Sequence, residues 1–380
     1  MRAINQEINL LTITEKHRQV ADGSAYLLRS LAWPGAPILG ACAVHSDFGH
    51  LLMLTADGAL HGLSFDTGAH VRLSTVDLPN IETDDPDGFF GGPRYRLHAS
   101  PDGGHAAIVI DMGRHGMVVD TRSGAVTLRL DGGDYCEETV PFSACFLRHQ
   151  GRNVFIHRTA WNRLESSDPV TGELLTPRHI APYESCGDRP AHYLDYFHGQ
   201  LRPSPSASRI FDDGWVWHPV SVPRVWSVSD WLGANPWESE DGASIVDLDM
   251  RDDWNTPACW IDERQLVMWG LATWDEDEYA QAGQGPGVRV FDVTERKQSS
   301  GGRWPMDIPA KVSDLFCDGV RLYVATDVET TAWDVASRSQ AAAWPGFTAR
   351  LLDRTRHTLL ASGPDAIQEL SLSRSAATET

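Results

Sequence analysis

The sequence predicts an all-β fold, a seven-bladed β-propeller whose last blade is closed by a strand from the N-terminus. Three observations lead there. A meander of four short strands repeats along the chain, an aspartate-marked turn recurs in most repeats, and a strand end near the N-terminus matches the end of a complete repeat.

The clearest meander runs from Lys311 to Gly346. Asp314–Cys317 is a short apolar run that stops at Asp318-Gly319, and Arg321–Thr326 is rich in β-formers. Thr330–Trp333 ends at Asp334, and Gln340–Trp344 stops at Pro345-Gly346. Runs of this length, each bounded by turn residues, are strands rather than helices. The turn between third and fourth strands returns at Asp66-Thr67-Gly68, Asp120-Thr121-Arg122-Ser123-Gly124 and Asp168-Pro169-Val170-Thr171-Gly172. Looser versions lie at Asp230, Asp292 and Asp334, with a further frame at Glu369–Ser373. An aspartate carboxylate there accepts the backbone N–H two residues on, and glycine takes the positive φ that ends the turn. Seven frames predict seven blades.

In chain order, blade one takes Ile38–Val76, blade two Tyr95–Asp131 and blade three Phe142–Ile180. Blade four takes Gly199–Asp249, the least regular, and blade five Ala258–Trp304. The opening meander is blade six, and Phe347–Leu372 supplies three strands of blade seven. Ser30-Leu31-Ala32-Trp33-Pro34-Gly35 matches Ala342-Ala343-Trp344-Pro345-Gly346, so Tyr26–Trp33 is expected to be the missing outer strand. Closure of this kind removes an open sheet edge. The domain plan is thus an extension over 1–25, the propeller over 26–372 and a polar tail over 373–380. Ile8–Thr14 reads as a further strand whose place the sequence leaves open.

Of 380 residues, 42% are hydrophobic and 22% charged, with 33 Gly and 22 Pro, which suits a turn-dense globular chain with a proper core. No apolar run reaches the ~18 residues of a membrane span. Met1–Glu7 lacks an apolar run and a cleavage site, so no signal peptide is expected and a cytoplasmic location is the default. Basic residues are nearly all arginine (lysine occurs at Lys16, Lys297 and Lys311), a bias pointing to a bacterial source. The net charge of −20 repels phosphate backbones and argues against nucleic acid as a partner. The six cysteines show no metal-ligand spacing; Cys42, Cys145 and Cys259 share one local frame and read as small apolar groups on inner strands.

In a four-stranded meander, fourth-to-first and second-to-third connections emerge on one face of the ring. The long insertions are Asp77–Arg94, Ala181–His198 and Ala234–Pro257, read as fourth-to-first, and Trp274–Gly287, read as second-to-third. All four therefore belong to one face, and long loops on a rigid scaffold are where binding concentrates. They pair carboxylates with aromatic rings: Phe89 and Phe90; Tyr193 and Tyr196; Trp237 and Trp254; and Trp274-Asp275-Glu276-Asp277-Glu278-Tyr279. That pairing suits a basic peptide, through ion pairs and cation–π contacts, although acidic loops are also ordinary solvated surface.

For metal chemistry, His192, Asp195 and His198 offer ligand types at i, i+3 and i+6, which would need a bend to meet. Asp84-Asp85-Pro86-Asp87-Gly88 lacks the spacing of a calcium loop. No P-loop, nucleophile elbow or dinucleotide fingerprint occurs in a usable context, so no cofactor is expected, with a divalent metal as the alternative.

The repeat pattern, with Trp333-Asp334 at one third-strand end, resembles the WD40-type and quinoprotein-type β-propellers across nearly the whole chain. The resemblance is architectural. Gly49-His50 and Gly104-His105 precede second strands, whereas the WD40 family carries Gly-His ahead of the first, so no family site residues transfer. The expected role is non-catalytic: a recognition or scaffold module binding a protein or basic peptide through its long-loop face. The alternative is a propeller enzyme, or a small-ligand or metal binder, with its site at the axial mouth of that face.

Overall fold

The computed structural model describes residues 8–19, 25–81, 91–179, 189–217, 220–251, 255–271, 286–295 and 302–372. Seven antiparallel sheets form the blades of a propeller. Their first, innermost strands are Ile38–Ser46, Arg94–Ala99, Ala144–His149, Phe197–Pro203, Ala258–Trp260, Val312–Cys317 and Leu351–Asp353.

Second strands are the most apolar because each is covered on both faces by neighbouring blades. Leu51–Leu54 in blade one and Ala106–Val109 in blade two are fully buried. The buried side chains divide into clusters that straddle consecutive blades. Val44, Leu52 and Leu60 meet Leu97 and Ile108 between blades one and two, and Leu31, Leu360 and Ile367 meet Leu51 and Phe65 between blades seven and one. At about 1.5–3 kcal/mol for each buried large aliphatic side chain, these interfaces supply the cohesion of the ring.

The aspartate turns form as the sequence predicts. Asp120 Oδ1 accepts from the N–H groups of Arg122 and Ser123, Asp168 Oδ1 from Val170, Asp292 Oδ1 from Thr294 and Asp334 Oδ1 from Ser337. Gly68, Gly124 and Gly172 follow with φ near +70°. Two frames differ. Asp230 sits in a short helix, α1 (Val228–Leu232), capped by the Ser227 hydroxyl, because Trp231 turns inward to pack on Trp226 between blades three and four. Glu369 lies inside the strand Ala366–Ser371, since blade seven takes its next strand from the N-terminus and needs no turn there.

That closure is as expected: Ala25–Ala32 pairs antiparallel with Ala366–Ser371. The upstream segment also finds its place. Ile8–Leu10 adds a fifth strand to blade one, beside Ala69–Thr75, and Leu11 N–H donates to Gly68 O at 2.9 Å. Ile13–Gln19 then adds a fifth strand to blade seven, beside Ala25–Ala32. One short stretch thus straps the outer edges of both blades at the seam.

An ion cluster closes the same seam. Glu369 is fully buried; its Oε1 lies 3.2 Å from Arg29 Nη1 and its Oε2 3.3 Å from Arg356 Nη2. Asp66 of blade one reaches both arginines, accepting from Arg356 at 2.6 and 2.8 Å. Burial pushes the Glu369 carboxyl up, whereas the Arg356 hydrogen bonds hold Asp66 down at about 2.

Blades three and four explain their own irregularity. Among the described residues, blade three has three strands and a single bridge, Ser167 to Leu174, where a fourth would run. Its outer edge is covered by the insertion of blade four, α1 followed by α2 (Glu238–Asp241). Arg178 joins the two, with Nη1 3.2 Å from Glu165 and Nη2 2.6 Å from Glu240, all three side chains buried.

Candidate functional site

Strand order places the connections. Those between Thr75 and Arg94, Leu174 and Phe197, Asp247 and Ala258, and Trp269 and Gly287 all have their strand ends at one face. Opposite-face connections are mostly tight turns, such as Asp47-Phe48 and Gln150-Gly151. The exception is the blade-four insertion, which corrects one expectation. Residues 228–245 link third and fourth strands, because Val246-Asp247 pairs with Arg224 and Val225 and is itself the fourth strand. Trp237 therefore belongs to the outer edge of blades three and four rather than to a fourth-to-first loop.

The sequence-predicted residues divide into three groups. Phe89, Phe90, Trp254 and Trp274, Asp275, Glu276, Asp277, Glu278, Tyr279 lie outside the described residues. Trp237 and Tyr193 are half-buried: His192 stacks on Trp237 with ring centroids 4.4 Å apart, and the Arg178 and Arg189 guanidinium groups lie over Trp237 and Tyr193. Tyr196 is a core residue rather than a contact. Its hydroxyl donates to Val222 O at 3.0 Å and accepts from Gly214 N–H at 3.1 Å, and Arg224 covers its ring.

The three ligand-type residues are held apart by different partners. His192 Nδ1 is 2.9 Å from Asp241, Asp195 pairs with Arg189 at 3.0 Å, and His198 Nδ1 is 2.7 Å from the buried Asp212. A positive φ at His192 turns its ring away toward α2. Among the described residues, no group of three His, Cys, Asp or Glu side chains could hold a metal ion.

What the face does assemble is an aromatic cluster that sequence reasoning missed. Phe197 stacks on Trp215 with centroids 4.0 Å apart, Trp161 packs on Phe197 at 4.4 Å, and Tyr135 lies over Trp161 and Phe197. All four come from connections or strand ends at the long-loop face. Tyr135 is 58% exposed, and Trp217, two residues past Trp215, is 59% exposed. Asp134, Glu137 and Glu138 flank Tyr135 in sequence; burial and the neighbouring acids push the Glu137 carboxyl up. The available signal was position: Trp161 sits between two strands, in a two-residue second-to-third turn, where a tryptophan has no packing duty within its own sheet.

Beneath the face, inner strands from all seven blades line an axial cavity of about 950 Å³. Cys42, Cys145, Cys259 and Cys317 stand on those strands, as the shared frame predicts for the first three, and all are free thiols. Burial pushes Cys42 and Cys317 up to about 12, so neither is a thiolate nucleophile near neutral pH.

Neither a protein-family model nor a curated protein matches the sequence. Among solved structures the chain is similar to the β-propeller domain of Cps50 (Swd1) from Myceliophteria thermophila. The match spans 95% of this chain and all of that one, at 10% identity and a TM-score of 0.51. The protein is a seven-bladed β-propeller. At that identity the likeness establishes the fold alone. No described helix is long and apolar enough to cross a membrane.

Proposed function

We propose that this propeller is a non-catalytic recognition module whose long-loop face binds a protein or peptide presenting lysine or arginine. The observation that carries the reading is the aromatic cluster of Tyr135, Trp161, Phe197 and Trp215, open to solvent at Tyr135, with Asp134, Glu137 and Glu138 beside it in sequence. It lies on the face from which the longest and most acidic connections leave. Large rings held in place by packing lose little freedom on binding, and carboxylates beside them select and steer a cationic partner. The Swd1 domain lends the architecture a precedent and no partner. An enzyme built on His192, Asp195 and His198 gains no support from their separate engagements.

The test is binding of fluorescent lysine- and arginine-rich peptides to the wild type and two variants. One is Asp275→Asn, Glu276→Gln, Asp277→Asn, Glu278→Gln combined; the other is Tyr135→Ala. Expected are a dissociation constant raised about tenfold in each, a flatter salt dependence in the first and unchanged thermal midpoints. A wild type that binds no basic peptide, or variants that bind as it does, would remove the face from consideration.

A further inference from the structure

The axis carries a charge opposite to that of the chain. Arg94 and Arg96 come from the inner strand of blade two, Arg202 from that of blade four, and Arg350 and Arg354 flank that of blade seven; all five line the axial cavity. The period of two in a strand puts Arg94 and Arg96 on one side. Two carboxylates answer them. Asp111, buried behind the channel wall, lies 2.6 Å from Arg96 Nε and 3.9 Å from Arg94 Nε. Asp314 of blade six accepts from Arg202 at 3.1 Å, across the axis from blade four. Arg354 donates to Trp260 O at 2.9 Å, and the Arg350 side chain has no ion pair among the described residues. Five guanidinium groups facing two carboxylates leave an excess positive charge in a protein of net charge −20.

That arrangement is costly without an occupant. Guanidinium groups do not shed their protons, and Arg96 lies within electrostatic reach of both Arg94 and Arg202. His98, on the same side of the same strand, lines the cavity too, and its Nε2 is buried without a hydrogen-bond partner. Gln200 Oε1 also accepts from Arg202 at 3.1 Å but carries no charge, so the element that would balance the guanidinium excess is an acceptor of negative charge. The inner strands begin at the long-loop face. Arg94 and Arg350, at the starts of their strands, therefore stand at that mouth, with Arg96 and Arg202 deeper.

We propose that the axial channel binds a small polyanion, an organic phosphate or a compound with paired carboxylates, with Arg350 and Arg94 engaging it at the mouth and Arg202 and Arg96 below. Planar guanidinium forks match both oxyanion types bidentately. A cavity of about 950 Å³ takes a metabolite-sized ligand rather than a lone inorganic ion. The site opens at the centre of the long-loop face but lies within the ring, and it does not depend on the loops taking a protein.

Calorimetric titration of the intact chain with pyrophosphate and with citrate, at constant ionic strength, tests this. Expected is saturable one-to-one binding of at least one probe in the micromolar to millimolar range, and the preferred probe assigns the oxyanion class. Arg350→Gln and Arg94→Gln are each expected to weaken it about tenfold without lowering the thermal midpoint of the unliganded protein. Arg202→Gln, which breaks the Asp314 pair, serves as a second variant, read by binding in samples whose circular dichroism is native. Absence of saturable binding up to about 10 mM of either probe would overturn the proposal. So would binding that none of the three variants weakens.

Discussion

Glu369 offers the sharpest test of how the ring is closed. It is a fully buried carboxylate between two arginines, one on the N-terminal strand and one in blade seven, with Asp66 of blade one completing the group. Glu369→Ala removes the buried carboxylate the two arginines share, leaving Arg29 with Glu15 and Asp66 and Arg356 with Asp66 and, at 4.0 Å, Asp353. Breaking a buried pair costs about 3–5 kcal/mol when the surviving charge has no alternative. Here both arginine side chains are 21% exposed and keep Asp66, so the expected loss is lower, about 2–3 kcal/mol. That is a factor of roughly 30–150 in the folding equilibrium. Asp66→Asn is the matched control: its side chain is 53% exposed, and a loss under about 1 kcal/mol is expected. Urea unfolding followed by tryptophan fluorescence gives both values. A Glu369→Ala loss no larger than that of Asp66→Asn would refute the view that this carboxylate locks the seam.

Two further outcomes follow from described contacts. His157 is buried, 3.0 Å from Ser167 Oγ, and burial holds it down at about 4 against about 6.5 when unfolded. It is neutral in the folded state, so its contribution is complete above about pH 6.5 and is lost as pH falls toward 4, at up to about 1.4 kcal/mol per pH unit. The slope of unfolding free energy between pH 6.5 and 5 should therefore be shallower in His157→Gln than in the wild type, and equal slopes would contradict the assignment. Deleting residues 1–19 removes the strap but leaves Ala25–Ala32 in place, exposing the edges of blades one and seven. Sedimentation should show concentration-dependent association of the truncated chain, because unpaired edges template pairing between molecules; a truncated chain that stays monomeric over the same range as the wild type would show that the strap is dispensable.

Repetition made the architecture legible. Each aspartate turn is a local device, so Asp120, Asp168, Asp292 and Asp334 marked their turns from sequence, and Ser30–Gly35 announced the closure by matching blade six. Blade four resisted because Trp231 has a tertiary duty, and its packing against Trp226 converts a turn frame into helix. Ile8–Thr14 was legible as strand and silent about partners; the structure divides it into Ile8–Leu10 and the start of Ile13–Gln19, and pairing at an edge leaves no hydrophobic alternation to mark that division. The arginines of the axis were missed for a geometric reason. Arg96, Arg202 and Arg350 stand on three inner strands over 100 residues apart in sequence, so along the chain they look scattered, and the net charge of −20 conceals them. His192, Asp195 and His198 show the converse: proximity in sequence did not become proximity of function, because a positive φ and three separate partners part them.

The closing strand also sets a schedule for synthesis. Arg29 meets Glu369, a separation of 340 residues. At roughly 5–20 residues per second, Ala25–Ala32 emerges from the ribosome some 17–70 s before its partner strand exists. During that interval Leu31 can meet only its blade-one partners, Leu51 and Phe65, and Leu28, which packs between blades six and seven in the finished ring, has nothing to cover it. Blades one to six can form in turn as they emerge, each on the last, while Ala25–Ala32 waits for the last strand made. The nascent chain therefore carries a strand with one open edge and a half-covered apolar face for most of its translation, and chaperone demand should follow the length of that wait more closely than the stability of the finished propeller.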